Sequence, residues 1–88
     1  MRYHMGSCPV CCGYLEFLYS LDESRCLIMC DECSLQFRSP QDALEEKDGF
    51  RKSWSPLEQL YRQPYISAIL DEIEQAGWTG FIEGEIFG

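Results

Sequence analysis

Two cysteine pairs of identical spacing constrain this chain more than any other feature: Cys8-Pro-Val-Cys11 and Cys30-Asp-Glu-Cys33, with eighteen residues between Cys11 and Cys30. In a C-x-x-C turn the backbone folds back on itself, so the two sulfurs converge and each pair supplies one edge of a tetrahedron. Two such turns at this separation are the pattern of a single four-thiolate site with metal–sulfur distances of about 2.3 Å. Zn²⁺ is therefore the expected structural cofactor, and Cys8, Cys11, Cys30 and Cys33 its ligands. Two disulfides, or iron on the same four residues, are the alternatives. Pro9 fixes φ inside the first turn and Gly13 is expected to supply a positive φ after it. The second pair is followed by Ser34 and Leu35, so it lacks that glycine.

The arrangement over residues 6–38 resembles the zinc-ribbon superfamily, which implies two knuckles, each at the foot of a β-hairpin. The residues between the pairs read the same way. Tyr14 to Ser20 is rich in aromatic and apolar side chains suited to a strand, Leu21-Asp-Glu-Ser24 is a polar turn, and Arg25 to Met29 returns as the partner strand. Leu35 to Arg38 alternates apolar and polar side chains and is expected to add a third strand. Residues 1–7 read as a flexible or weakly paired lead-in.

Beyond residue 38 the pattern turns helical. Ser39-Pro40 with Asp42 is a capped helix start, with Ala43 and Leu44 as its apolar side and Lys47-Asp-Gly49 as its end. Phe50 to Trp54 reads as a connector, and Ser55-Pro56-Leu-Glu58 as a second capped start running to about Arg62 before Pro64 interrupts it. Ile66, Ile69, Leu70 and Ile73 fall at helical spacing and predict an amphipathic helix from Tyr65 to Gly77. Trp78, Phe81 and Ile82 are expected to pack on the core, while Ile86 and Phe87 stay open between core and docking tail. The fold expected is α+β: one domain over residues 1–88, a small antiparallel zinc-ribbon β-sheet carrying two or three short C-terminal helices. A chain of 88 residues buries a lower fraction of its surface than larger ones do, and a staple of this kind is expected.

Charge narrows the partners. Seven Lys and Arg against fifteen Asp and Glu give a formal charge of −8, and four thiolates on Zn²⁺ would make it about −10. A direct nucleic-acid partner is not expected. A protein with a basic surface fits, since complementary charge steers association. No stretch approaches eighteen apolar residues and the N-terminal residues lack a signal-peptide core. The paired cysteines then suit reduced thiols, and a cytoplasmic location with no membrane partner is expected. Cys12 and Cys26 are surplus to the site, Cys26 as a buried hydrophobe in a strand. His4, the sole histidine, reads as a surface residue, because four thiolates already close the coordination sphere.

A closed site leaves no position for an activated water, so an enzyme is not expected. Asp22-Glu23 at the hairpin tip resembles the acidic dipeptide of transcript-cleavage factors, whose zinc ribbon reaches into an RNA polymerase active site. That resemblance implies Mg²⁺ held by two adjacent carboxylates. The size, the Cys-Pro-Val-Cys start and the stretch Asp71-Glu-Ile-Glu-Gln-Ala-Gly-Trp78 resemble small cysteine-rich immunity proteins of bacterial toxin loci. This implies an inhibitor that neutralises a basic, nuclease-like toxin, its carboxylates standing in for phosphates. Asp71, Glu72, Glu74, Glu83 and Glu85 would be the partner-binding acids and Trp78 the anchor. A generic adaptor or regulatory ribbon is the alternative.

Overall fold

The computed structural model describes residues 2–33, 35–50 and 65–86. Strands β1 (Arg2–Ser7), β2 (Tyr14–Ser20), β3 (Arg25–Cys30), β4 (Gln36–Phe37), β5 (Tyr65–Ser67) and β6 (Gly84–Ile86) form one antiparallel sheet in the order β4-β3-β2-β1-β6, with β5 on β2. Among the described residues two short helices accompany it, α1 (Pro40–Glu45) and α2 (Leu70–Gln75), with a 3-10 turn at Thr79–Phe81.

Strand β2 organises the sheet because both its edges are used. One edge pairs along its length with β3, from Leu15 opposite Cys30 to Ser20 opposite Arg25. The other edge is shared: β1 takes the first half (Glu16 opposite His4) and β5 the second (Leu18 opposite Ser67). Of the lead-in expected over residues 1–7, Arg2–Ser7 is thus a paired strand, held between β2 and β6. Its register shifts between His4 and Ser7, where Gly6 takes φ +108 and its N–H donates to His4 Nδ1 at 3.0 Å. The His4 ring lies 4.4 Å from that of Tyr14, and His4 is not part of the cysteine cluster.

The core lies on one face of the sheet. Leu15 and Phe17 of β2, Cys26, Ile28 and Cys30 of β3, and Phe37 of β4 point to it, and Ile73, Ala43, Ala68 and Leu35 close it. Trp78, Phe81 and Ile82 pack against this cluster as expected, with the Trp78 and Phe17 rings 6.5 Å apart. Cys26 is buried, and its S–H donates to the Glu72 carbonyl at 3.5 Å.

Helix α1 begins as its sequence indicates: the Ser39 Oγ accepts from Asp42 N–H at 3.2 Å and Pro40 occupies the first turn. It ends earlier than expected, with Glu46 and Asp48 in the left-handed region. Gly49 serves a different need, since a Cβ there would meet the Phe37 ring at 3.0 Å. Ala43 is buried but Leu44 is exposed. Phe50 then bridges to Gln36, and the Arg38 guanidinium lies 5.2 Å from the Phe50 ring.

The largest departure concerns the helix expected from Tyr65. Tyr65–Ser67 is a strand, and the helix spans only Leu70–Gln75. Three β-ladder positions on the second half of β2 compete with a first helical turn that is costly to nucleate, and the ladder prevails. Gly77 does close the helix, at φ +78. The residues after it return as β6, which pairs Ile86 with Arg2. The helix expected at Ser55–Arg62, the connector residues 51–54 and Phe87 lie outside the described residues.

Candidate metal centre

The two cysteine pairs occupy equivalent places in the hairpins. Cys8 and Cys11 lie between β1 and β2, while Cys30 ends β3 and Cys33 lies between β3 and β4. In each turn the first cysteine donates its N–H to a carbonyl five residues on: Cys8 to Gly13 at 2.6 Å, and Cys30 to Leu35 at 2.8 Å. In each, too, the residue two beyond the first cysteine donates to its sulfur, Val10 to Cys8 at 3.5 Å and Glu32 to Cys30 at 3.4 Å. Gly13 N–H adds a bond to the Cys11 sulfur at 3.4 Å and Cys33 N–H one to Cys30, also at 3.4 Å. Such N–H···S contacts favour the thiolate form that a metal requires.

The register of β2 on β3 places the two turns side by side, since Leu15 pairs with Cys30. The four sulfurs lie within 4.8 Å of one another. Across the turns, Cys8 and Cys33 approach to 3.7 Å and Cys11 and Cys30 to 3.2 Å. A tetrahedron with bonds of about 2.3 Å has edges of about 3.8 Å, whereas a disulfide needs about 2.05 Å. All six cysteines are free thiols. The cluster thus has the donors and spacing of a metal-binding site, and four soft sulfur donors fit zinc. Cys8 and Cys30 are buried and Cys11 and Cys33 half-buried. Burial pushes the Cys30 thiol up to about 12 in the metal-free protein, so a metal must displace its proton.

Two residues that sequence reasoning does not single out for these roles support the cluster. The Asp31 carboxylate accepts from Tyr14 N–H at 3.0 Å, and Asp31 N–H donates to the Tyr14 carbonyl, also at 3.0 Å; together they lock the second turn onto the start of β2. A short acid directly after the first ligand of the second pair is the signal for it. Gly13 is required for space: a Cβ there would lie 2.9 Å from Asp31 Oδ1 and 3.1 Å from Cys30 Sγ. The positive φ expected of Gly13 belongs instead to Cys12, at +66. Cys12 is exposed and outside the cluster.

The remaining predicted site residues lie apart from the sulfurs. Asp71, Glu72 and Glu74 share α2, with Asp71 and Glu74 exposed and Glu72 half-buried; the Glu72 carboxylate accepts from Ile69 N–H at 3.0 Å. Glu83 is exposed before β6, and Glu85 lies in β6 opposite Tyr3. Trp78 is half-buried against the core. Asp22 and Glu23 are exposed in the β2–β3 turn, where Glu23 lies 3.5 Å from Arg25. Among the described residues, no helix is long and apolar enough to cross a membrane. Comparison with protein families, with curated proteins and with solved structures finds no match.

Proposed function

We propose that the protein is a non-enzymatic zinc-ribbon module in which Cys8, Cys11, Cys30 and Cys33 hold a structural Zn²⁺, and that it acts by binding another protein. The convergence of four thiols from two equivalent turns, all within 4.8 Å, is the observation that carries this reading. A four-thiolate shell has no open position for water or substrate, so the ion's role is to tie the β1–β2 and β3–β4 turns together. What is left for the exterior is recognition. With a formal charge of −8 and exposed acids Asp71, Glu74 and Glu83, the suited partner has a basic surface. The partner class that best matches is a basic, nuclease-like toxin, whose phosphate-binding groove would accept carboxylates in place of its substrate.

The test uses zinc-loaded protein as bait in an extract of its host at low and high salt. The reading expects one basic protein whose association slows with salt, and whose purified nuclease activity is lost on adding one equivalent of bait. Recovery of RNA polymerase subunits, with binding abolished by Asp22→Ala or Glu23→Ala, would replace it with the transcript-cleavage reading.

A further inference from the structure

Three large aliphatic side chains at the junction of β5 and α2 are about half exposed. Ile66 is 46% exposed, Ile69 57% and Leu70 46%, whereas Ile73 is fully buried. Ile69 stands at the N-cap of α2 and makes no side-chain cap bond. Ser, Thr, Asp or Asn there would satisfy an orphan N–H. Ile69 thus keeps apolar surface in water at a position where a polar side chain would serve the helix better, next to Leu70 and three residues from Ile66.

Charge indicates what suits this patch. From Tyr65 to Gly88 the sequence holds five acids and no Lys or Arg, and Asp71 and Glu74 are exposed on α2. The patch also adjoins a recess. Tyr19, the β-ladder partner of Ile66, lines an open cleft of about 220 Å³ with Arg25, Cys26, Glu72 and Gln75. Arg25, the cation among these, lies beside Glu23.

We propose that Ile66, Ile69 and Leu70, rimmed by Asp71 and Glu74, form the docking surface for a cationic amphipathic segment of the partner protein, with large apolar side chains interleaved with Lys or Arg. This rests on the protein-binding reading above and supplies the partner's chemistry. The apolar side chains of such a segment cover the aliphatic patch, and its long cationic stems lie over the rim with their heads on the carboxylates. An acidic segment of the same shape is repelled, which makes the rim a source of selectivity.

The test is a methyl NMR titration of the zinc-loaded full chain at low salt with two synthetic peptides. One places Leu at i, i+3, i+4 and i+7 among Lys; the other carries the same charge on Lys and Gly only. The Leu–Lys peptide is expected to shift the methyls of Ile66, Ile69 and Leu70, leaving Ile28 and Ile73 as unmoved references, and to bind at least about tenfold more tightly than its Gly counterpart. The double substitution I69S and L70Q is expected to weaken it by about tenfold with zinc content and melting temperature unchanged. Equal affinity for both peptides, with the three methyls unmoved, overturns the docking surface but leaves an acidic protein-binding role standing. Failure of both peptides to bind overturns the two together. Methyl shifts that depend on protein concentration without peptide would assign the patch to a second copy of the chain and also overturn the proposal.

Discussion

The Cys11 and Cys30 sulfurs stand 3.2 Å apart although they belong to different turns. The other close contact, Cys8 to Cys33 at 3.7 Å, also crosses between turns. Each close pair therefore joins two hairpin connections, and the cluster holds only while β2 and β3 stay in register. Whatever loosens that register loosens the metal site.

Gly13 is where this coupling can be probed with one methyl group. In Gly13→Ala the new Cβ would lie 3.1 Å from Cys30 Sγ and 2.9 Å from Asp31 Oδ1, so the second turn must retreat from the first. Zinc affinity, measured by competition with a chromophoric chelator, is expected to fall by about 10–100-fold. Thermal unfolding of the loaded protein should show a loss of about 1–3 kcal/mol.

The buried Glu16 offers a second test, one residue along β2 from Leu15 and opposite Met29. Its carboxylate accepts two bonds from Arg2, at 2.8 and 2.9 Å, and one from Ser67 at 3.0 Å, tying β1 and β5 to the edge of β2 they share. Arg2→Met leaves a carboxylate that is 5% exposed with the Ser67 hydroxyl still donating to it. Because the Arg2 side chain is 37% exposed, the expected cost is about 1–3 kcal/mol by denaturant unfolding, less than for a fully buried pair. Zinc stoichiometry should not change.

Trp78 separates a core residue from an anchor for partners. It packs on the cluster beside Phe17, so Trp78→Ala is expected to cost about 2–4 kcal/mol of stability in the isolated protein. A variant of unchanged melting temperature would return Trp78 to the surface.

How much of this was legible in the sequence depends on how local the governing physics is. The cysteine spacing, the Tyr14–Ser20 and Arg25–Met29 hairpin and the Ser39-Pro40 cap are encoded within a few residues, and the structure has a strand or cap at each. The strand at residues 2–7 and the strand at Tyr65–Ser67 are set by the edge of β2, forty-five or more residues away from Tyr65, and no local pattern announces that edge. Ile66, Ile69, Leu70 and Ile73 do match a helical stripe, yet only Ile73 is buried; periodicity recorded apolar side chains without recording what covers them. Gly13 shows the same limit at the metal site. Its place after Cys11 marks a tight turn, but whether the glycine answers a torsion or a collision depends on Cys30 and Asp31.

The thiols also give the metal-free protein a distinct pH dependence. Burial holds Cys30 near 12 and raises Cys26, the latter with help from Glu72, above the ordinary value of 9.0. The folded state thus binds more protons than the unfolded one once pH exceeds about 9, so stability falls as pH rises from about 9 towards 12. Guanidinium midpoints of the metal-free protein should decline through that window. With zinc bound, Cys30 is already a thiolate, and most of the decline should vanish.

The central claim is one metal ion held by four named sulfurs, and the most direct measurement is the absorption spectrum and stoichiometry of the Co²⁺-substituted protein. The account predicts one ion per chain with the intense visible bands of tetrahedral thiolate coordination, displaced by one equivalent of Zn²⁺. The bands should be lost in Cys30→Ser and retained in Cys12→Ser and Cys26→Ser. A folded, reduced protein that takes up no Co²⁺, or one whose bands survive Cys30→Ser and vanish with Cys12→Ser, would contradict it.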